Sequence, residues 1–188
     1  MLEIKQIYDS YMAEELFEKL NQIDTRYRTE YIRFGKPAVV PRGQAAYTLS
    51  RDIHYDYGRI AAGTPNVTVM DGFMKEITAD VNTALGTNFN TILLNKYLDG
   101  NDCIGAHSDN ENGWVPGTGF ATLSFGAERD FVIKKKDTGE STTILHHAGL
   151  CIHMKHPMNQ HYTHAVPKRK KCLSTRISLT FREIEPTK

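Results

Sequence analysis

The sequence predicts an α+β chain that is mainly β, a sandwich or jelly roll with helices packed outside it. Three observations carry this. From residue 89 onward the chain breaks into short β-favouring runs separated by polar turns, two stretches of helical periodicity lie ahead of them, and no repeat, low-complexity segment or linker interrupts the whole.

Taken in order, Asp9 or Ser10 can cap a first helix in which Met12, Leu16, Phe17, Leu20 and Ile23 recur at helical spacing. A second helix is expected over residues 69–85, where Phe73, Ile77, Val81 and Leu85 repeat every four positions and Gly86 supplies the stop. The strand candidates follow as "FNTILLNKYL", "FATLSFG", "DFVIKKK", "STTILHH", "GLCIHM" and "RISLTFREI", with Asp99-Gly100-Asn101 and Asp137-Thr138-Gly139 as turns between them. In "RISLTFR", residues 176–182, Ile177, Leu179 and Phe181 alternate with Arg176, Ser178, Thr180 and Arg182. One face is therefore apolar, and the other carries two arginines.

A chain of 188 residues is long enough for one domain with a proper core. Its 40% hydrophobic and 24% charged residues are those of an ordinary globular protein, and no run approaches the roughly 18–20 apolar residues of a membrane helix. The first residues mix acids and lysines with hydrophobics and do not read as a secretory signal. Cys103, Cys151 and Cys172 lie far apart without CxxC spacing, which suggests reduced thiols in an intracellular protein and excludes a zinc ribbon. Net charge is only +1, yet basic residues clump at Lys134–Lys136, at Lys168–Lys171 and more loosely at Arg26, Arg28, Arg33, Lys36 and Arg42. Such runs can meet a phosphate backbone or simply be solvated loop charge.

Within "GAHSDNE", His107 and Asp109 are two apart, so on an extended segment they project to the same side and can share an ion. Six of the eight histidines fall between His146 and His164 and offer a third ligand. Two histidines and one carboxylate on one face make the facial triad of non-haem Fe(II) oxygenases, which leaves metal positions open. His161 and His164 face opposite ways if extended, and spacing alone does not choose between them. The two arginines of the last strand lie about 20 Å apart along its length, and reaching towards each other they leave room for a small dicarboxylate. Arginine suits that role because its planar fork pairs with carboxylate through two hydrogen bonds. Structural ion pairs with nearby acids are the alternative.

On these residues the chain resembles the AlkB family of Fe(II)- and 2-oxoglutarate-dependent dioxygenases, and is most like the animal members that repair alkylated bases in DNA. "LNKYLDGNDCIGAHSDNE", "SFGAERDFV", "HPMNQHYTHAVPKRKK" and "RISLTFREI" occur in the family's order and spacing. The resemblance implies a double-stranded β-helix (jelly roll) with N-terminal helices packed outside. It implies a single domain over 1–188, with helices and a nucleotide-recognition lid in 1–88 and the jelly-roll core in 89–188. It selects His164, twelve residues before Arg176, so that His107, Asp109 and His164 become the expected iron ligands. Arg176 would pair with the distal carboxylate of 2-oxoglutarate, and Arg182 would sit near its metal-binding end and Asp109. Asn95, Tyr97, Ser178 and Thr180 would complete the co-substrate contacts.

Towards the front, "HYDYG" is similar to the family's substrate lid and nominates Tyr55 and Tyr57 as the aromatic pair around a flipped base. "RFGKP", with Phe34, Gly35 and Lys36, resembles the finger by which duplex-acting members wedge a side chain into the base stack. The chain departs from the family at Asn110, where a second acid usually follows the metal aspartate, although Glu111 comes next; it departs again at Ser178, which stands for the usual asparagine. The implied activity is oxidative demethylation of N-methylated bases such as 1-methyladenine and 3-methylcytosine. It would use Fe(II), 2-oxoglutarate and O2 and release formaldehyde, succinate and CO2. DNA is the expected partner, a membrane is not, and the chain is expected to work as a monomer. The same chemistry on RNA or a protein side chain, and a catalytically silent nucleic-acid binder, are the competing expectations.

Overall fold

The computed structural model describes residues 1–27, 30–33, 35–54 and 67–187. β1 (Leu2–Gln6) leads into α1 (Ser10–Asn21), followed by β2 (Arg26–Tyr27), the hairpin β3 (Glu30–Arg33) and β4 (Lys36–Val39), β5 (Gly43–Thr48) and β6 (Val67–Val69). Then come α2 (Gly72–Leu85), β7 (Thr91–Tyr97), β8 (Ile104–His107), β9 (Phe120–Gly126), β10 (Arg129–Lys135), β11 (Ser141–His146) and β12 (Leu150–Met154). The short α3 (Met158–His161), β13 (Tyr162–Val166) and β14 (Arg176–Arg182) complete the chain.

Both long helices begin where a carboxylate can satisfy an orphan backbone donor. The Met12 amide donates to Asp9 and the Met74 amide to Asp71, each at 2.9 Å. α2 stops at Gly86, whose φ of +65° is the left-handed conformation that glycine adopts without a Cβ penalty. It starts at Gly72 rather than 69, because Val67–Val69 is a β-branched triplet that pairs in parallel with β5. Of the first helix's expected apolar stripe, Leu16 and Leu20 are buried, whereas Met12 is exposed.

Two sheets face each other. The larger runs β1-β12-β9-β14-β7-β5-β2, with β6 beside β5, and the smaller runs β11-β10-β13-β8. This is the two-sheet architecture of a jelly roll. The division expected at residue 88 is crossed by the large sheet: β1, β2, β5 and β6 all join it, because β5 offers its full length to β7 and β1 its full length to β12.

The strand alternation sorts side chains into two cores. Ile92, Leu94, Leu123, Phe125, Ile177, Leu179 and Phe181 meet Leu16, Leu20, Ile77 and Val81 on the helical side of the large sheet. Leu93, Tyr97, Phe120, Phe131, Ile133 and Val166 fill the space between the sheets. β14 lies between β7 and β9, and all seven of its residues are buried. Its polar face therefore looks into the roll and not into solvent.

Candidate metal and co-substrate site

Buried polar residues need partners, and the polar face of β14 finds them in one cavity. Arg176, Ser178, Thr180 and Arg182 line it together with Asn95 and Tyr97 from β7, and with His107, Asp109 and His164. β8 and β13 are neighbours in the small sheet, and their register sets His107 directly opposite His164. One possible ligand atom from each of His107, Asp109 and His164 falls within 4.8 Å of the others. His161 is excluded from this cluster: it ends α3 and is exposed.

The carboxylate of Asp109 is divided between two tasks. Oδ2 accepts from Arg182 Nε at 3.1 Å and Nη2 at 2.5 Å. Oδ1 is left to face His107 Nε2 at 3.3 Å and His164 Nε2 at 3.8 Å. Burial alone would raise the pKa of Asp109, but the Arg182 charge beside it holds it well below the usual carboxylate range. His164 is pushed down to about 3, chiefly by burial, so its imidazole is neutral at physiological pH. The other ring nitrogen of His107, Nδ1, lies 2.8 Å from the Gly105 carbonyl oxygen, which can only accept. Nδ1 therefore carries the proton and Nε2 keeps its lone pair for a metal. Two imidazole nitrogens and one ionised carboxylate oxygen are a donor set that suits a divalent iron.

At the far end of β14, Arg176 is 1% exposed and has no acid beside it among the described residues. Its Nε donates to Ser124 Oγ at 3.0 Å and its Nη2 lies 2.9 Å from His146 Nδ1. Nη1 is buried with no partner. Burial lowers its pKa to about 10, which still leaves it charged. An uncompensated buried guanidinium costs several kcal/mol, and a ligand carboxylate would offset that cost. Asn95 Oδ1 accepts from Arg42 Nε at 2.7 Å and from Gln44 Nε2 at 3.0 Å, so its amide nitrogen remains as a donor for the cavity. The lining of the cavity thus offers ligands for an iron ion and donors for an anionic co-substrate.

The two β14 arginines face different groups of the protein at the two ends of this cavity. Arg182 is committed to Asp109, and Arg176 alone keeps an unmet donor. Around the metal loop, Asn110 is exposed and accepts from the Asn112 amide, while the Glu111 carboxylate is held by Asn159 Nδ2 at 2.8 Å and Gln160 Nε2 at 3.0 Å. In the β3–β4 hairpin, Gly35 sits in the connecting turn with φ +75° and Lys36 is exposed. Phe34, Tyr55 and Tyr57 lie outside the described residues. Sequence reasoning did not find Asn159, His146, Arg42 or Arg129; their partners lie tens of residues away, and no local pattern announces them. Arg42, counted among the surface basic residues from sequence, is buried against Asn95.

The profile of the 2OG-Fe(II) oxygenase superfamily matches residues 2–182, and the chain belongs to that superfamily. It is a dioxygenase that depends on Fe(II), 2-oxoglutarate and O2, in keeping with the donor set and the partnerless Nη1 of Arg176. Within the superfamily the likeness runs to AlkB-type proteins. The human DNA oxidative demethylase ALKBH2 is 38% identical over 189 residues, covering 94% of this chain and 70% of that protein. Mouse ALKBH2 is 36% identical over 188 residues, covering 94% of this chain and 77% of the relative. A solved structure, that of OsALKBH1, superposes with a TM-score of 0.65 over 97% of both chains at 12% identity, which bears on the fold alone.

Proposed function

We propose that this protein removes methyl groups oxidatively from N-methylated bases in DNA, acting as a monomer. The observation that carries the reading is the divided carboxylate of Asp109, with one oxygen on Arg182 and the other on two histidine nitrogens, in the same cavity as the unpaired donor of Arg176. The ALKBH2 relatives, named as DNA oxidative demethylases, support the substrate.

His107, Asp109 and His164 would hold the iron, and Arg176 with Asn95 would hold the diacid. When bound, these groups with O2 supply the oxidising power that takes an N-methyl carbon to formaldehyde while 2-oxoglutarate becomes succinate and CO2. What the chain adds is placement. Arg182 pins one oxygen of Asp109, so the other keeps a fixed direction and the carboxylate stays ionised. Gly105 fixes the His107 tautomer. Phe120 and Phe131 pack against the His164 ring at centroid distances of 4.8 and 5.6 Å, which shuts water out of that side.

Mass spectrometry on oligonucleotides bearing 1-methyladenine or 3-methylcytosine should show loss of 14 Da with about one succinate formed per base repaired. Running methylated single strands, duplexes, RNA and peptides side by side separates the competing substrates. Succinate formation without demethylation of any DNA would overturn the reading. His164→Ala should abolish iron binding while His161→Ala retains it, and the reverse result would reassign the ligand.

A further inference from the structure

Six histidines crowd into residues 146–164, and the iron reading uses one of them. His146 is the most deeply buried of the remainder, at 0% exposure. It ends β11, and its ring meets Phe131 edge-on at 5.7 Å. Its Nε2 lies 3.0 Å from the Leu150 carbonyl oxygen, which has no proton to give. Nε2 therefore carries the hydrogen. Burial, reinforced by the nearby Arg176 charge, keeps the ring from taking a second proton. Nδ1 is then an obligate acceptor, and 2.9 Å away is Arg176 Nη2.

Arg176 is thus held at two nitrogens by neutral acceptors, His146 Nδ1 and Ser124 Oγ, while Nη1 is left without a partner in the buried interior. The chemical character of those acceptors matters. An aspartate or glutamate at residue 146 would also fix the fork, but it would cancel the positive charge and compete with an incoming carboxylate. A neutral imidazole locked in one tautomer fixes the plane and leaves the charge intact.

We propose that His146 is a positioning residue for the co-substrate: it orients Arg176 towards a terminal carboxylate without neutralising it, and so sets the preference for a 2-oxo diacid over a 2-oxo monoacid of the same length. This rests on the reading that Arg176 takes the distal carboxylate of 2-oxoglutarate.

The test titrates Zn(II)-loaded protein with 2-oxoglutarate and with 2-oxopentanoate, which has the same chain length and no distal carboxylate. His146→Leu should weaken 2-oxoglutarate about ten-fold or more, the value of one hydrogen bond to a charged group, and leave 2-oxopentanoate within about two-fold. His146→Gln, whose amide oxygen can accept from Nη2, should recover most of the loss. General damage to the fold would weaken both ligands alike, and that outcome overturns the proposal, as does an unchanged diacid affinity. Arg176→Lys serves as the reference. If it too leaves 2-oxoglutarate unchanged, the Arg176 assignment itself falls; if it alone weakens the diacid, only the role of His146 falls. Should His146→Leu fail to fold, 15N spectra of the unsubstituted Zn(II)-loaded protein decide the matter. They should show a His146 protonated at Nε2 and bare at Nδ1, with the Nδ1 signal shifting on addition of 2-oxoglutarate and not of 2-oxopentanoate. A proton on Nδ1 overturns the proposal.

Discussion

Asp109 reaches the metal position from a loop, and a loop needs something to hold it. Asn159 does so from α3: its side-chain oxygen accepts the Asp109 amide at 2.9 Å, and its nitrogen donates to the Asp109 carbonyl at 3.0 Å and to Glu111. Ser108 Oγ adds a bond to the Tyr162 carbonyl at 2.8 Å. Both faces of the Asp109 peptide are thereby latched to the segment that leads into His164. Asn159→Ala should lower Fe(II) or Co(II) affinity about ten-fold, in the range seen when groups supporting metal ligands are removed. Asn159→Asp should do worse, because it sets a carboxylate against Glu111. Metal titration checks both, and affinities within two-fold of the parent would show that the latch is dispensable. The HxD pair itself was legible because a period of two puts both side chains on one face. Its latch was not, since Asn159 lies 50 residues away and becomes a neighbour only through the pairing of β13 with β8.

Elements carry the site to the surface where a nucleic acid must be gripped. The turn after β7 docks against the basic run 168–171: the Gly100 amide donates to the Cys172 carbonyl at 2.7 Å, and the Arg169 amide donates to Gly100 at 2.8 Å. A Cβ at Gly100 would overlap the Arg169 carbonyl, so only glycine permits this approach. Arg129 fastens the same junction from inside, donating to the carbonyls of Asp99, Asp102 and Pro167. Lys168, Lys170 and Lys171 are thereby presented together and exposed. The other run is less available: Lys135 pairs with Asp137 at 3.2 Å, and Lys136 donates to the carbonyls of Asn159 and Gln160. Gly100→Ala should therefore weaken DNA binding and lower its salt slope by about one to three, the number of phosphate contacts at stake, while metal and 2-oxoglutarate affinities stay within two-fold. Binding isotherms at several salt concentrations read this, and an unchanged slope would remove the run from the interface. The strands from β7 to β14 with strong alternation were legible for the reason that β-branched and aromatic residues fit a pleated half-buried surface. β5, "GQAAYT", was not: glycine, glutamine and alanine are poor strand formers, and only its full-length pairing with β7 makes it one.

At the scale of the whole molecule, the two cores divide the labour. Among the described residues, the layer between the helices and the large sheet is built from apolar side chains, with His153 buried against Phe89 on that side, whereas the interior of the roll holds Arg129, Arg176, Arg182, His146 and His164 buried beside its aromatic side chains. The buried histidines make stability depend on pH in a direction the geometry fixes. Burial holds the pKa of His146 well below its ordinary value, and does the same more weakly to His153, where Glu3 opposes the shift. A histidine whose folded pKa is depressed is protonated first in the unfolded chain. Its contribution is therefore complete above about pH 6.5 and drains away as pH falls below it, by about 1.4 kcal/mol per pH unit for a fully buried ring. Asp109 does not blur this window, because its lowered pKa brings losses only below the ordinary carboxylate value of about 3.9. Urea midpoints of the metal-free protein should be level from pH 8 to 7 and fall steadily from 6.5 to 5. In His146→Gln that fall should become shallower by about one histidine's share, because glutamine has no proton to gain. An equal slope in the two proteins would mean that His146 is already charged in the folded state, and a charged ring could not accept from Arg176.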